Sequence, residues 1–167
     1  MDIQKSLIAE YDRETACTRK MFEAIPVDAD FNYKPHPKSM SLGRLAGHIA
    51  ETAGQWATST LAKDKVELPP GQKYEAYIPA SKEALLTRFD SETGEAKAIL
   101  ASFPIEKWDD NWKFVAGDQV WIDDSKYDVW RTWVVNHLVH HRAQLGVYLR
   151  LLGQKVPGMY GPSADEM

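Results

Sequence analysis

Apolar side chains recur at three- and four-residue steps along most of the chain, the spacing of amphipathic helices. Ile3, Leu7, Ile8, Tyr11, Thr15, Thr18, Phe22 and Ile25 mark a first helix over 1–25, which Pro26 stops. Residues 27–38, with prolines at 35 and 37, show no period and suit an extended connection. Ser39 or Ser41 can cap a second helix carrying Leu42, Leu45, His48, Ile49, Thr52, Ala53 and Trp56, which fades near Leu61. Leu68-Pro69-Pro70-Gly71 signals a turn or loop. Ser81 opens a third helical pattern through Leu85, Leu86, Phe89, Thr93, Ala96, Ile99 and Leu100, ending before Pro104. Asp109 to Asp124, with Gly117-Asp118 at its middle, suits a short hairpin or an irregular loop. The longest periodic segment runs from about Ser125 to Leu152 and closes on Gly153.

Four helices of about 20–28 residues, each ~30–42 Å long, predict an all-α four-helix bundle in one domain over 1–167. Its connections are long enough to cross the bundle end, and a small loop or hairpin insert precedes the fourth helix. The 167 residues include one cysteine, so the core needs no disulfide, and Cys17 has no partner in the chain. No apolar run reaches the ~18–20 residues of a membrane span, and the N-terminus lacks the layout of a secretion signal. The expected location is cytoplasmic. A net charge of −4 without a basic block gives nucleic acid no footing.

Three of the five histidines crowd into 137–141. On a wheel of ~100° per residue His141 falls about 40° from His137, on the stripe shared by Trp130, Trp133, Val134, Gln144, Tyr148, Leu151 and Leu152. His140 lies ~60° to the other side and reads as a flanking residue. His48, mid-stripe on the second helix, is the one other histidine expected inside; His36, between two prolines, looks solvated. Two imidazoles at i and i+4 can reach one ion, and His48 supplies a third, leaving positions open to water or substrate. A buried hydrogen-bond network or a solvent-lined pocket fits the same residues. Glu51 and Gln144, each one turn from a ligand candidate, can orient it, as can His140. There is no His-Glu-x-x-His pattern, so peptide hydrolysis has no support.

Trp130, Trp133 and Tyr148 share the face of the fourth-helix histidines, and Trp56 lies two turns beyond His48. They are core filler or the wall of a pocket over the ion. Trp108, Trp112 and Trp121 in the insert can cap the bundle end or the site. Val135, Val139 and Gly146 lie opposite the histidines, with Leu138 and Leu149 to one side. That extra apolar face calls for cover by the insert or by a second subunit, and predicts a homodimer.

Three segments, Pro35 to Glu51, Asn136 to Leu145 and Pro157 to Glu166, together resemble the DinB-like (YfiT-like) metalloenzyme family over nearly the whole chain. The resemblance implies a four-helix bundle with crossover connections, often dimeric, and a divalent ion on His48, His137 and His141; by softness three imidazoles suit zinc, nickel, copper or iron, zinc or nickel being first among candidates. It further implies a transferase or isomerase using a low-molecular-weight thiol such as bacillithiol, mycothiol or glutathione on an electrophilic small molecule. A non-enzymatic metal- or ligand-binding stress-response protein and a metal-dependent hydrolase are the other readings. No residue pattern selects one thiol.

Overall fold

The fold, taken from a computed structural model, is described for residues 2–167; Met1, where the first helix was expected to begin, lies outside them. Four helical rods carry the structure. The first is α1 (Ile3–Glu23). The second runs from α2 (Leu42–Glu51) through a π-helical stretch (Thr52–Trp56) into α3 (Ala57–Ala62). The third is α4 (Lys82–Ala101), and the fourth joins α5 (Lys126–Val129), a second π-helical stretch (Trp130–Asn136) and α6 (His137–Leu151). Each rod opens on a side-chain oxygen that accepts a backbone N–H: Asp2 from Lys5, Ser41 from Arg44, Ser81 from Ala84 and Ser125 from Asp128. Such a cap contributes about 1 kcal/mol and fixes where winding starts. The fourth rod ends at Gly153, whose φ of 71° suits a residue without Cβ.

Rods one and three, three and two, two and four, and four and one are neighbours around the bundle. Lys97 pairs with Asp12 and Arg19 with Asp90, so α1 and α4 run antiparallel. The segments joining rods one to two and three to four therefore cross the bundle end diagonally, as their lengths allowed.

One core packs Phe22, Ile25, Leu45, Ile49, Leu85, Phe89, Leu138 and Leu149 at one end, and a second packs Leu7, Tyr11, Leu61, Leu100, Trp108, Trp130 and Val134 at the other. The insert is a hairpin: β2 (Asn111–Ala116) pairs antiparallel with β3 (Gln119–Ser125), with Gly117 at φ 59° in the turn and a register shift at Phe114/Val115. The sequence reading placed no strand after the second helix. Yet β1 (Lys65–Leu68) pairs parallel with β2 and completes a three-stranded sheet in the order β1-β2-β3. Trp112, Ile122 and Val129 tie this sheet to the fourth rod.

The apolar face of the fourth rod, expected to be covered by the insert or a second subunit, is covered in part by its own chain, with Val139 left half-buried. A Cβ at Gly146 would touch Met21 and Val156 at 3.6 Å, and Val135, Leu138 and Leu149 are buried in the two cores. The segment after Gly153 folds back over α1 and α6, held by Tyr160 and Arg142 on Glu14 and by Asp165 on Arg150. Among the described residues no helix is long and apolar enough to cross a membrane.

Candidate metal centre

The second and fourth rods bring His48, His137 and His141 together, with one ring nitrogen of each within 4.8 Å of the others. His137 Nε2 stands 3.2 Å from His48 Nε2 and 2.8 Å from His141 Nε2. Nitrogens ~2.0–2.1 Å from one tetrahedral ion are separated by about 3.3 Å, which the His48–His137 spacing matches and the His137–His141 spacing undershoots. The cluster is within reach of a single divalent ion.

The outward edges of the rings fix their protons. His141 Nδ1 is 2.9 Å from Gln144 Oε1, while the Gln144 amide donates to His140 Nε2 at 3.0 Å. Burial pushes His137 and His141 down to about 4, so both rings are neutral at physiological pH. With Nδ1 of His141 donating to Gln144, its Nε2 presents a lone pair to His137 Nε2 across 2.8 Å. A cation between the Nε2 atoms would be held by lone pairs of neutral imidazoles, so the donor set fits a divalent metal ion.

His48 has two neighbours on Nδ1: Arg44 Nη2 at 3.3 Å and Glu51 Oε2 at 3.7 Å. Arginine only donates, so Nδ1 accepts and Nε2–H points at His137. For His48 to offer Nε2 to an ion, Nδ1 must carry the proton, and Glu51 is the acceptor in reach. Burial would raise the Glu51 carboxyl, but His48, the Tyr77 N–H and Arg44 outweigh it and hold the group below its ordinary value. Its oxygens receive the Tyr77 N–H at 2.6 Å and Arg44 Nη1 at 2.9 Å.

A cavity of about 280 Å³ opens beside the cluster, with His48, His137 and Arg44 on its polar side. Trp56, Tyr74, Phe114, Trp121 and Trp133 wall the rest with Ile122. Of the aromatic residues expected there, Trp56 and Trp133 are present and Trp130 and Tyr148 are not. Trp130 is buried against Tyr11 and Trp108 at the far core, and Tyr148 is buried with its hydroxyl donating to Met40 O at 2.9 Å. For Trp130 the reason is the π-helical stretch: i→i+5 bonding makes each residue advance less than the ~100° of an α-helix, so a wheel drawn backwards from His137 drifts. Tyr148 keeps its angle on α6 but lies three turns beyond His137, ~16 Å along the axis. Trp133 then edges onto His137 at 5.9 Å. Of the insert tryptophans, Trp121 lines the cavity, while Trp108 and Trp112 are buried. His140 is exposed and turned toward Gln144.

Arg44 and Tyr74 belong to the site and were not singled out in the sequence. Arg44 precedes His48 by one turn and Glu51 follows by nearly one, a helical stripe that could have disclosed it. Tyr74 sits in a connection without periodicity and carried no signal. Burial, followed by the Glu51 charge, pushes its phenol up to about 12.

Known proteins resemble this chain in sequence or in fold. The uncharacterised protein YrdA of Bacillus subtilis (strain 168) is 22% identical over 160 residues, covering 95% of this chain and 89% of that protein. Crystal structures of DinB-like proteins from Bacillus subtilis and Bacillus cereus ATCC 10987 each superpose with a TM-score of 0.69 at 22% identity. They cover 92% and 93% of this chain and 96% and 97% of theirs. A proposed DinB-family member from Exiguobacterium sibiricum 255-15 gives 0.64 at 22% identity, covering 100% of this chain and 99% of its own. At such identities the likeness is one of fold. The model of the DinB family itself matches residues 2–167, and with the bundle and its histidine cluster already described, the chain belongs to that family.

Proposed function

We propose that His48, His137 and His141 hold a divalent metal ion, zinc or nickel first among candidates, and that the protein is a metal-dependent transferase acting on small molecules. The observation that carries this is the pair of neutral imidazoles presenting Nε2 to each other at 2.8 Å beside an aromatic cavity. Three protein ligands leave coordination positions for an incoming atom, the arrangement of a catalytic rather than a structural ion. When bound, the ion supplies a Lewis acid that lowers the pKa of a thiol or water reaching it.

The chain's own residues do the rest. Gln144 holds the His141 proton on Nδ1 and fixes that ring, and with an ion on His48 Nε2 the nearby Glu51 would take the proton that moves to His48 Nδ1. Trp56, Trp121 and Trp133 displace water from the cavity, which strengthens electrostatic interactions inside it. Cys17 is buried on α1 against Met159 O and does not line the cavity, so it is no nucleophile for it. Thiol chemistry here therefore uses a low-molecular-weight thiol from solution, as the nucleophile toward an electrophilic substrate.

Elemental analysis of the purified protein beside His48→Ala, His137→Ala, His141→Ala and His140→Ala tests the ligand set. Loss of metal in the first three and retention in the fourth is expected. Full occupancy in any of the first three would remove that residue from the set. With cobalt in the site, a spectral change on adding glutathione supports an open position for thiol, and an unchanged spectrum argues against the transferase.

A further inference from the structure

The cavity's lining specifies the kind of molecule it takes, given that the histidine cluster is an ion site. Tyr74, Trp121 and Trp133 are large apolar side chains left exposed, at 37%, 59% and 40%, and all three face this one cavity. Exposed aromatic surface gathered on a single concavity marks a ligand site rather than chance surface composition. Trp56 and Phe114 stand edge to face at 5.2 Å and form the inner wall. The volume, about 280 Å³, falls just below the ~300–1,000 Å³ of sites for drug-sized ligands, so the occupant is compact.

Charge supplies the second half. No Asp or Glu lines the cavity. Arg44, always protonated, does, while its counter-ion Glu51 is buried behind it with 1% of its side chain exposed. Three neutral imidazoles leave the charge of a divalent ion uncompensated on the same side. An anionic group thus meets two positive centres and no negative one, and a flat ring meets indole and phenyl faces suited to offset or edge packing.

We propose that the cavity binds a small aromatic carboxylate, its ring between the tryptophans and its carboxylate toward Arg44 and the histidine cluster. This rests on the ion site, and it names the class of the electrophile-bearing substrate.

The test titrates zinc-loaded protein with benzoate, benzamide and acetate, read by tryptophan fluorescence and calorimetry, with zinc stoichiometry measured on the same sample. Benzoate should bind at least about tenfold more tightly than either of the others, benzamide lacking its charge and acetate its ring. Trp121→Ala, at an exposed position on β3, should lower the advantage over acetate several-fold with zinc affinity unchanged. The charge-balanced double variant Arg44→Gln/Glu51→Gln should lower the advantage over benzamide. One zinc per chain with equal affinity for benzoate and benzamide, or for benzoate and acetate, overturns the inference and leaves the ion site standing. Failure to take up zinc overturns the ion site, and the inference with it.

Discussion

Gly47 lies against the backbone of Tyr77: a Cβ at position 47 would fall 2.1 Å from the Tyr77 carbonyl oxygen. One turn on, Glu51 accepts the Tyr77 N–H, so the connection that carries Tyr74 is clamped to α2 at two points. A methyl group at 47 meets backbone, which cannot rotate away. Gly47→Ala is expected to destabilise the protein by about 1–3 kcal/mol in urea unfolding. Hydrogen exchange should accelerate over residues 72–79 more than in the bundle core. Wild-type stability would show that the connection shifts freely.

Zinc should stabilise the native protein by mass action, since the unfolded chain holds no preformed site. At a hundredfold excess over the dissociation constant the gain is about 2.7 kcal/mol. A chelator should reverse it, and His141→Ala should abolish it while His140→Ala keeps it. Thermal unfolding with and without zinc reads all four cases.

Acid should weaken the metal-free protein in a defined window. His137 and His141 are pushed from 6.5 down to about 4 in the folded state, first by burial. Between those values the unfolded chain binds more protons than the native one, so stability rises with pH. It is complete above about 6.5, falls as pH is lowered toward 4, and loses nothing further from these two groups below that. The combined loss is on the order of 2–5 kcal/mol. Saturating zinc, which competes with the protons, should steepen the loss at the acid end. A flat profile of metal-free stability from pH 7 to 4.5 would show that the rings are solvated.

Arg142 and Glu14 form a buried ion pair at 2.7 Å, with side chains 3% and 5% exposed, and Tyr160 hydroxyl donates to the same carboxylate at 2.6 Å. Arg142→Ala leaves the buried Glu14 with only the exposed Arg13, whose Nε is 3.1 Å from its other oxygen, and should cost about 2–3 kcal/mol, less than a wholly unpaired buried charge. The double variant Arg142→Met/Glu14→Leu, which removes both charges, should cost much less. Equal losses in the two would mean that packing rather than charge holds this contact. Because Tyr160 hangs on the pair, Arg142→Ala should also increase protease cleavage after Gly153.

The rods and the three converging histidines were legible because both depend on helical period. His137 and His141 lie one α-helical turn apart within α6, and His48 lies within α2, where the wheel holds. The misplacement of Trp130 came from applying that period across Trp130–Asn136, where hydrogen bonding changes register. Strand β1 escaped notice because its four residues pair with a strand far along the chain, and local alternation carries little at that length. Tyr74 and Phe114 reach the cavity from a connection and a hairpin, whose positions depend on contacts such as Gly47 with Tyr77. The covering of Gly146 by Val156 was equally hidden, because a tail without periodicity gives no sign of where it docks.

His48 and His137 are 89 residues apart and meet only because rods two and four are neighbours. On a chain leaving the ribosome, no set of three ligands exists until the last helix has emerged and folded back onto the second. The pair on α6 can hold a metal only loosely before then. Under the proposed ligand set, tight binding would report completion of the fold, and a chain cut short anywhere before His141 would not match the affinity of the whole.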